Sequence, residues 1–157
     1  MAYAQSAALI ATPIGPVRVE ADGDLLTGIR IGDAPPPTGA APVLREACAQ
    51  LHAYFDNRLT EFDLPLAPAS TARGTDLRQA IRAVGFGETS TYGTIAGAIG
   101  SSARAVGQAC RRNSFPLVVP CHRILSAGSR LGHYSAGEGV LTKQFLLTHE
   151  GAETWLL

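Results

Sequence analysis

The sequence predicts an α/β (α+β) protein: a small antiparallel sheet with one helix over residues 1–66, then a helical winged-helix (helix-turn-helix) part over residues 67–157. Two patterns predict it. Short apolar and branched runs broken by Pro/Gly turns fill the first 31 positions, whereas helical spacing introduced by Ser and Thr caps follows the small-residue stretch Ala67–Ala72. A length of 157 residues suits one domain or a small pair, and 46% hydrophobic against 17% charged residues argues against a disordered chain.

Ala8–Ile10, Val17–Glu20 and Leu26–Ile31 read as a three-stranded meander, separated by turns at Pro13-Ile14-Gly15-Pro16 and Asp22-Gly23-Asp24. Pro35, Pro36 and Pro37 exclude helix and central strand from Asp33–Ala41. Val43, Ala47, Leu51, Tyr54 and Phe55 recur at helical spacing, so Pro42–Asn57 is a predicted amphipathic helix, followed by a short strand at Phe62–Leu66. In the second part Thr75 or Asp76 would cap a helix running to Ala83. Ser90 or Thr91 caps the next, which presents Tyr92, Ile95, Ala96 and Ile99 and stops at Gly100; Ser101 or Ser102 caps a third over Ala103–Arg112. Leu117–Val119 reads as a buried strand, Leu125–Leu131 as a wing hairpin and Val140–His149 as a last helix.

Thirteen basic residues cancel thirteen acidic ones, but unevenly along the chain. Seven basic face ten acidic residues up to Glu88, and six face three from Thr89 onward. Arg104, Arg111, Arg112, Arg123 and Arg130 occupy Thr89–Gly137 without one carboxylate, which is either a solvated face or an anion-binding one. Cys48, Cys110 and Cys121 are odd in number and lack CxxC spacing, so at least one thiol is free and neither a disulfide framework nor a zinc knot is expected. Cys48 and Cys110 fall on apolar helix faces and read as structural. The N-terminal stretch shows no leader pattern and no run suits a bilayer span, so the expected setting is cytoplasmic, away from membranes.

Pro120-Cys121-His122-Arg123 places a free thiol beside an imidazole at the end of the apolar run Phe115–Val119. The pair alone fits a buried structural cysteine as well as a nucleophile whose proton the histidine removes. Around it the chain carries, in order, Thr91-Tyr92-Gly93-Thr94-Ile95-Ala96, Ala103-Arg104-Ala105-Val106-Gly107, Asn113, Tyr134-Ser135 and His149-Glu150-Gly151. With Pro120–Ile124, this ordered set resembles the O6-alkylguanine-DNA alkyltransferase (methylated-DNA–protein-cysteine methyltransferase) family over about residues 89–151. The first 66 residues are similar only as meander plus helix to the reduced RNase H-like domain the family often carries.

The resemblance implies direct-reversal DNA repair: base flipping, then irreversible, stoichiometric transfer of an alkyl group from O6-alkylguanine, with O4-alkylthymine as a further substrate, to Cys121. His122 would act as base through a water, Glu150 would orient His122, and Asn113 would brace the turn bearing Cys121. Tyr134 and Ser135 would hold the modified guanine, Arg104 would fill the vacated stack, and Tyr92 would press on a phosphate. Ser102 and Ala103 would approach the minor groove of double-stranded DNA, with Arg111 and Arg112 supplying attraction that carries no sequence information. No cofactor or metal is implied, and the expected state is a monomer. Two competing classes are a non-catalytic winged-helix binder, which has no use for Cys121 with His122 and Glu150, and a Cys-His hydrolase, which needs an oxyanion hole that the sequence does not signal. Compared with the family, Gly100–Arg104 is about two residues short, Tyr134–Gly139 is longer, and Arg73, Leu77 and Arg78 stand where Phe and Trp are usual.

Overall fold

The computed structural model describes residues 5–152 and 155–156; residues 1–4, which open the N-terminal stretch read above, and residues 153, 154 and 157 lie outside the described residues. The chain divides into two compact units, one ending at Ala67 and one starting at Pro68.

The first unit is an antiparallel meander, β1 (Gln5–Thr12), β2 (Gly15–Asp22) and β3 (Leu25–Ile31), covered by α1 (Pro42–Phe55). Val17, Val19, Ala21, Leu26 and Ile29 of the sheet share the core with Leu44, Ala47, Leu51 and Tyr54 of the helix. Thr12 closes the first turn from both sides, donating to the Gly15 carbonyl at 2.6 Å and accepting from the Ile14 N–H at 3.2 Å. The proline connection is held by its carbonyls: the buried Arg18 guanidinium donates to Pro35 O at 2.7 Å and to Pro36 O. The strand expected at Phe62–Leu66 is not one. It is an extended segment clipped by Gln50, which accepts from Asp63 N and donates to Asp63 O, both at 2.9 Å. Toward β3 it forms a single bridge at Leu66, and Pro65, without an N–H, cannot extend a ladder.

The second unit is mainly helical: α2 (Ala72–Arg82), α3 (Tyr92–Ile99), α4 (Ala103–Arg111) and α5 (Val140–His149), with the two-residue strands β4 (Ser90–Thr91) and β5 (Ile124–Leu125) paired in parallel. α2 starts earlier than the sequence suggests. Thr71, not Thr75 or Asp76, is its cap, accepting from Gly74 N at 3.0 Å, and the two residues expected as caps lie inside the helix. Thr91 caps α3 and Ser102 caps α4, each through a side-chain oxygen accepting a backbone N–H at 3.1 Å. Between them Gly100 turns the chain in the left-handed region at φ 65°. Arg73 then satisfies the end of α3 by donating to Ile99 O at 2.8 Å and Gly100 O at 3.1 Å. An arginine there meets the negative end of a helix, where an aromatic residue could not.

Two expected elements of this unit differ. Leu117–Val119 is buried but is a turn, with Leu117 at φ 78°. The Leu125–Leu131 hairpin reduces to a 3-10 turn at Ala127–Ser129 closed by one bridge, Ser126 to Arg130. Beyond that bridge the backbone of Ser129 and Leu131 pairs with Leu156 instead. Leu125, Leu131, Leu147 and Ala152, with Trp155 against them, form a core cluster under this loop. Among the described residues no helix is long and apolar enough to cross a membrane.

Candidate active site

Cys121 opens a 3-10 turn, Cys121–Arg123, immediately before β5, whose pairing with β4 fixes the turn against the start of α3. The apolar run before it would need strand partners; instead Asn113 supplies them. Its amide donates to Val119 O at 2.8 Å and lies 3.4 Å from Cys121 Sγ, while its Oδ1 accepts from Phe115 N at 2.9 Å. One side chain thus holds both ends of the turn and touches the sulfur.

Behind the sulfur lies a buried ionic cluster. His122 Nε2 is 2.8 Å from Glu150 Oε2, and Arg123 donates to the same carboxylate through Nε at 2.8 Å and Nη2 at 3.0 Å. Nη1 of Arg123 donates to Val84 O at 2.8 Å. Burial alone would raise the Glu150 pKa, but hydrogen bonds from His122 and Arg123 overcome it and hold the carboxyl well below the ordinary range. An ionised carboxylate only accepts, so Nε2 carries the imidazole proton and Nδ1 is left as the basic atom. Nδ1 has no hydrogen-bond partner among the described residues. Desolvation of the fully buried ring lowers its pKa, against the pull of Glu150, so the imidazole is neutral near neutral pH. The Cys121 thiol is raised well above its usual value, first by its hydrogen bond with Cys110 and then by burial. Such a thiol needs a base, and the adjoining residue is one.

A cleft of about 360 Å³ opens over Cys121, lined also by Tyr92, Arg104, Arg111, Tyr134 and Ser135. Six of the sequence candidates therefore meet in one cavity, with His122, Glu150 and Asn113 grouped around the turn that bears the sulfur. Ser102, Ala103 and Arg112 do not line it; they lie exposed at the two ends of α4. The Tyr134 hydroxyl is buried without a hydrogen-bond partner among the described residues, and desolvation raises its pKa far above that of an ordinary phenol. Tyr92 is pushed up to about 12, chiefly by burial. Both phenols remain donors across the working pH range.

Three placements correct or extend the sequence reading. Cys110, read as structural, is buried and also lines the cleft that Cys121 lines. Arg123 belongs to the interior rather than to a solvated arginine face. Lys143, which the sequence reading does not single out, is fully buried on the stripe of α5 that carries Leu146 and Leu147, donating to Ile124 O at 2.7 Å and His133 O at 3.3 Å. Burial lowers its pKa to about 8, and its charge pulls the Cys121 and Cys110 thiols downward. A lone lysine at apolar helical spacing is its one signal in the sequence. Among the described residues no group of His, Cys, Asp and Glu side chains could hold a metal ion.

Residues 75–152 match the profile of the 6-O-methylguanine DNA methyltransferase DNA binding domain, and residues 7–68 that of the ribonuclease-like domain of the same family. A Methanosarcina acetivorans protein named methylated-DNA–protein-cysteine methyltransferase is 36% identical over 154 residues, 92% of this chain and 97% of the relative. A Mycobacterium tuberculosis protein of that name is 39% identical over 153 residues, 90% of this chain and 89% of the relative. The crystal structure of M. tuberculosis O6-methylguanine methyltransferase superposes with a TM-score of 0.82 at 35% identity, covering 94% of this chain and 93% of the other. A structure of M. tuberculosis OGT in complex with DNA gives 0.81 at 37% identity, covering 91% of each chain. With both domain profiles matched in sequence order and relatives similar along nearly the whole length, the chain belongs to the 6-O-methylguanine DNA methyltransferase family.

Proposed function

We propose that this protein repairs alkylated DNA by moving the alkyl group from guanine O6 onto Cys121 and keeping it there. The observation that carries the reading is a buried thiol on the floor of a cleft, backed by a histidine whose basic nitrogen is free and whose other nitrogen is held by an ionised glutamate. His122 Nδ1 takes the thiol proton through a water, and Sγ attacks the alkyl carbon. The carbon–O6 bond breaks as the carbon–sulfur bond forms, and its electron pair goes to the departing guanine. Tyr134, a donor with its hydroxyl unspent, stabilises that charge, and the Ser135 backbone N–H assists. The carbon–sulfur bond of the thioether is not cleaved again to return the thiol, so each molecule acts once. Intact mass after incubation with duplex DNA containing O6-methylguanine is the test: a gain of one methyl group on the peptide bearing Cys121 supports the reading, and retained binding without gain supports a non-catalytic binder.

Double-stranded DNA approached from the minor groove without sequence preference is the proposed partner, and the protein acts as a monomer. Exposed Arg104 and Arg111 at the cleft, with Arg112 beside them, support this side of the unit as the DNA surface. Arg111→Ala and Arg112→Ala are each expected to reduce the slope of log affinity against log salt by about one unit, measured across a salt series. Unchanged slopes in both would place the DNA surface elsewhere.

Arg104 is proposed to fill the stack left by the extruded nucleotide. It is exposed in the first turn of α4 among Ser102, Ala103, Ala105 and Gly107, and it borders the cleft. Arg104→Ala is expected to raise the cost of extrusion by about 1 to 3 kcal/mol, or about 5- to 150-fold in single-turnover rate on duplex DNA. Reaction with free O6-benzylguanine, which requires no extrusion, is expected to be nearly unaffected. Equal losses on both substrates would assign Arg104 to the fold or the reacting centre instead.

A further inference from the structure

α3 and α4 are joined by three residues, Gly100, Ser101 and Ser102, and the direction in which α4 leaves α3 is decided there. Gly100 turns the chain at φ 65° and ψ 41°, and no atom lies within 4 Å of the place a Cβ would take. A glycine in open space has the backbone freedom of a hinge. From within the helix pair, the turn is held by the Ser101 N–H, which donates to Ala96 O at 2.8 Å, and by the Ser102 cap. A third helix ties it down through Arg73, whose Nη1 and Nη2 donate to two successive carbonyls, Ile99 O at 2.8 Å and Gly100 O at 3.1 Å. A planar guanidinium can serve such a pair, whereas an ammonium is a point charge.

Arg73 is badly placed for its own helix. It is the second residue of α2, beside the positive end of the helix dipole, in a first turn with no acidic residue to offset it. It is also exposed, so packing does not account for it. What it serves lies across the turn, where Ala103 opens α4 and Arg104 follows, exposed at the edge of the cleft. We propose that Arg73 is a positioning residue for base extrusion: by fixing the start of α2 to the end of α3 it locks the Gly100 hinge, and so aims Arg104. Arg73 does not line the cleft and acts through α4 alone. Without it, α4 keeps its Ser102 cap but swings about Gly100, and the Arg104 guanidinium is less often over the stack it is to fill.

The effect on extrusion rests on the proposed role of Arg104; the lock on the turn does not. Arg73→Met removes the donors and keeps a good helix former. In the full chain, amide hydrogen exchange is expected to quicken at Gly100 and Ser101, whose N–H groups both donate to Ala96 O, while the urea midpoint and exchange in α5 stay nearly unchanged. Single-turnover methyl transfer from duplex DNA containing O6-methylguanine, at saturating DNA, is expected to fall about 5-fold in Arg73→Met, the weight of a cation at a helix C-terminus. The same change made in Arg104→Ala is expected to cost about 2-fold or less, because the residue it aims is already gone. Arg73→Lys, which keeps the charge without the fork, is expected to lie between Arg73→Met and the parent. Unchanged exchange at Gly100 and Ser101 overturns the proposal, and so does an equal fold-loss in the two backgrounds, which a general weakening of the unit would give. If Arg104→Ala reacts with duplex DNA at the parent rate, the reading of Arg104 fails while the exchange at the turn still decides the lock.

Discussion

Cys121→Ser is expected to show no mass gain on DNA containing O6-methylguanine while binding that DNA nearly as the parent does. The substitution exchanges one atom at a site 5% exposed, so the turn and its Asn113 brace remain, although the amide now faces oxygen rather than sulfur. What changes is acidity. The parent thiol is already difficult to ionise beside Cys110 in a buried site, and a neutral imidazole is strong enough to help it. A hydroxyl in the same place is far less acidic, and an imidazole acting through water is too weak a base for it. Methyl found on the introduced serine of the variant, or on Cys110 or Cys48 in the parent, would remove the nucleophile assignment. Cys48 lies in the first unit, so Cys48→Ala is expected to retain full stoichiometry.

Glu150→Gln is expected to damage both stability and transfer. The carboxylate is the shared acceptor of His122 and Arg123, and replacing it leaves the Arg123 charge buried without its counter-ion. Removing one partner of a buried ion pair costs about 3 to 5 kcal/mol, to be read from the urea midpoint. A neutral amide no longer fixes the proton on Nε2, so Nδ1 is no longer held as the base, and a loss of roughly 10²-fold or more in single-turnover rate is expected. The two effects separate by pH. The Glu150 carboxyl is depressed in the folded state, so its stabilisation is present above the unfolded value of about 4.3 and is lost as pH falls below it. The stability gap between parent and variant is therefore expected to narrow below about pH 4. His122, lowered by burial, makes both proteins lose stability as pH falls below about 6.5, because the unfolded imidazole binds the proton first. A gap that stays constant down to pH 3 would mean that Glu150 is not ionised in the fold.

Local signals are the legible ones. The caps Thr91 and Ser102, the stop at Gly100 and the three strands each follow from a few adjacent residues, and the structure has them where the sequence puts them. Differences arise where a distant side chain replaces a backbone partner. Phe62–Leu66 and Leu117–Val119 carry the composition of strands, but Gln50 and Asn113 satisfy their polar groups, and no ladder is needed. The start of α2 is misread because Gly74 looks like part of a loop, whereas Thr71 caps the turn that contains it. At the site, the ordered motifs point to Cys121, His122, Glu150 and Asn113, and the structure brings these four together. The placement of Arg123 and Lys143 is hidden because each has partners 10 to 39 residues away, a distance that spacing rules do not reach. That Cys110 lines the same cleft as Cys121 depends on how α4 meets the following turn, which no periodicity encodes.

The clamp between His122 and Glu150 spans 28 positions, and that gap orders events during synthesis. A ribosome adding about 5 to 20 residues per second needs roughly 1 to 6 seconds to travel from the histidine to the glutamate. For that interval the nascent chain has its sulfur and its imidazole but not the carboxylate that fixes the imidazole proton on Nε2. Arg123 is likewise without its counter-ion, so the turn carrying Cys121 is not yet held. Reactivity therefore waits until α5 has formed and brought Glu150 into place. For an acceptor proposed to react only once, this delay keeps an unfinished chain from spending Cys121 before the surrounding cleft exists.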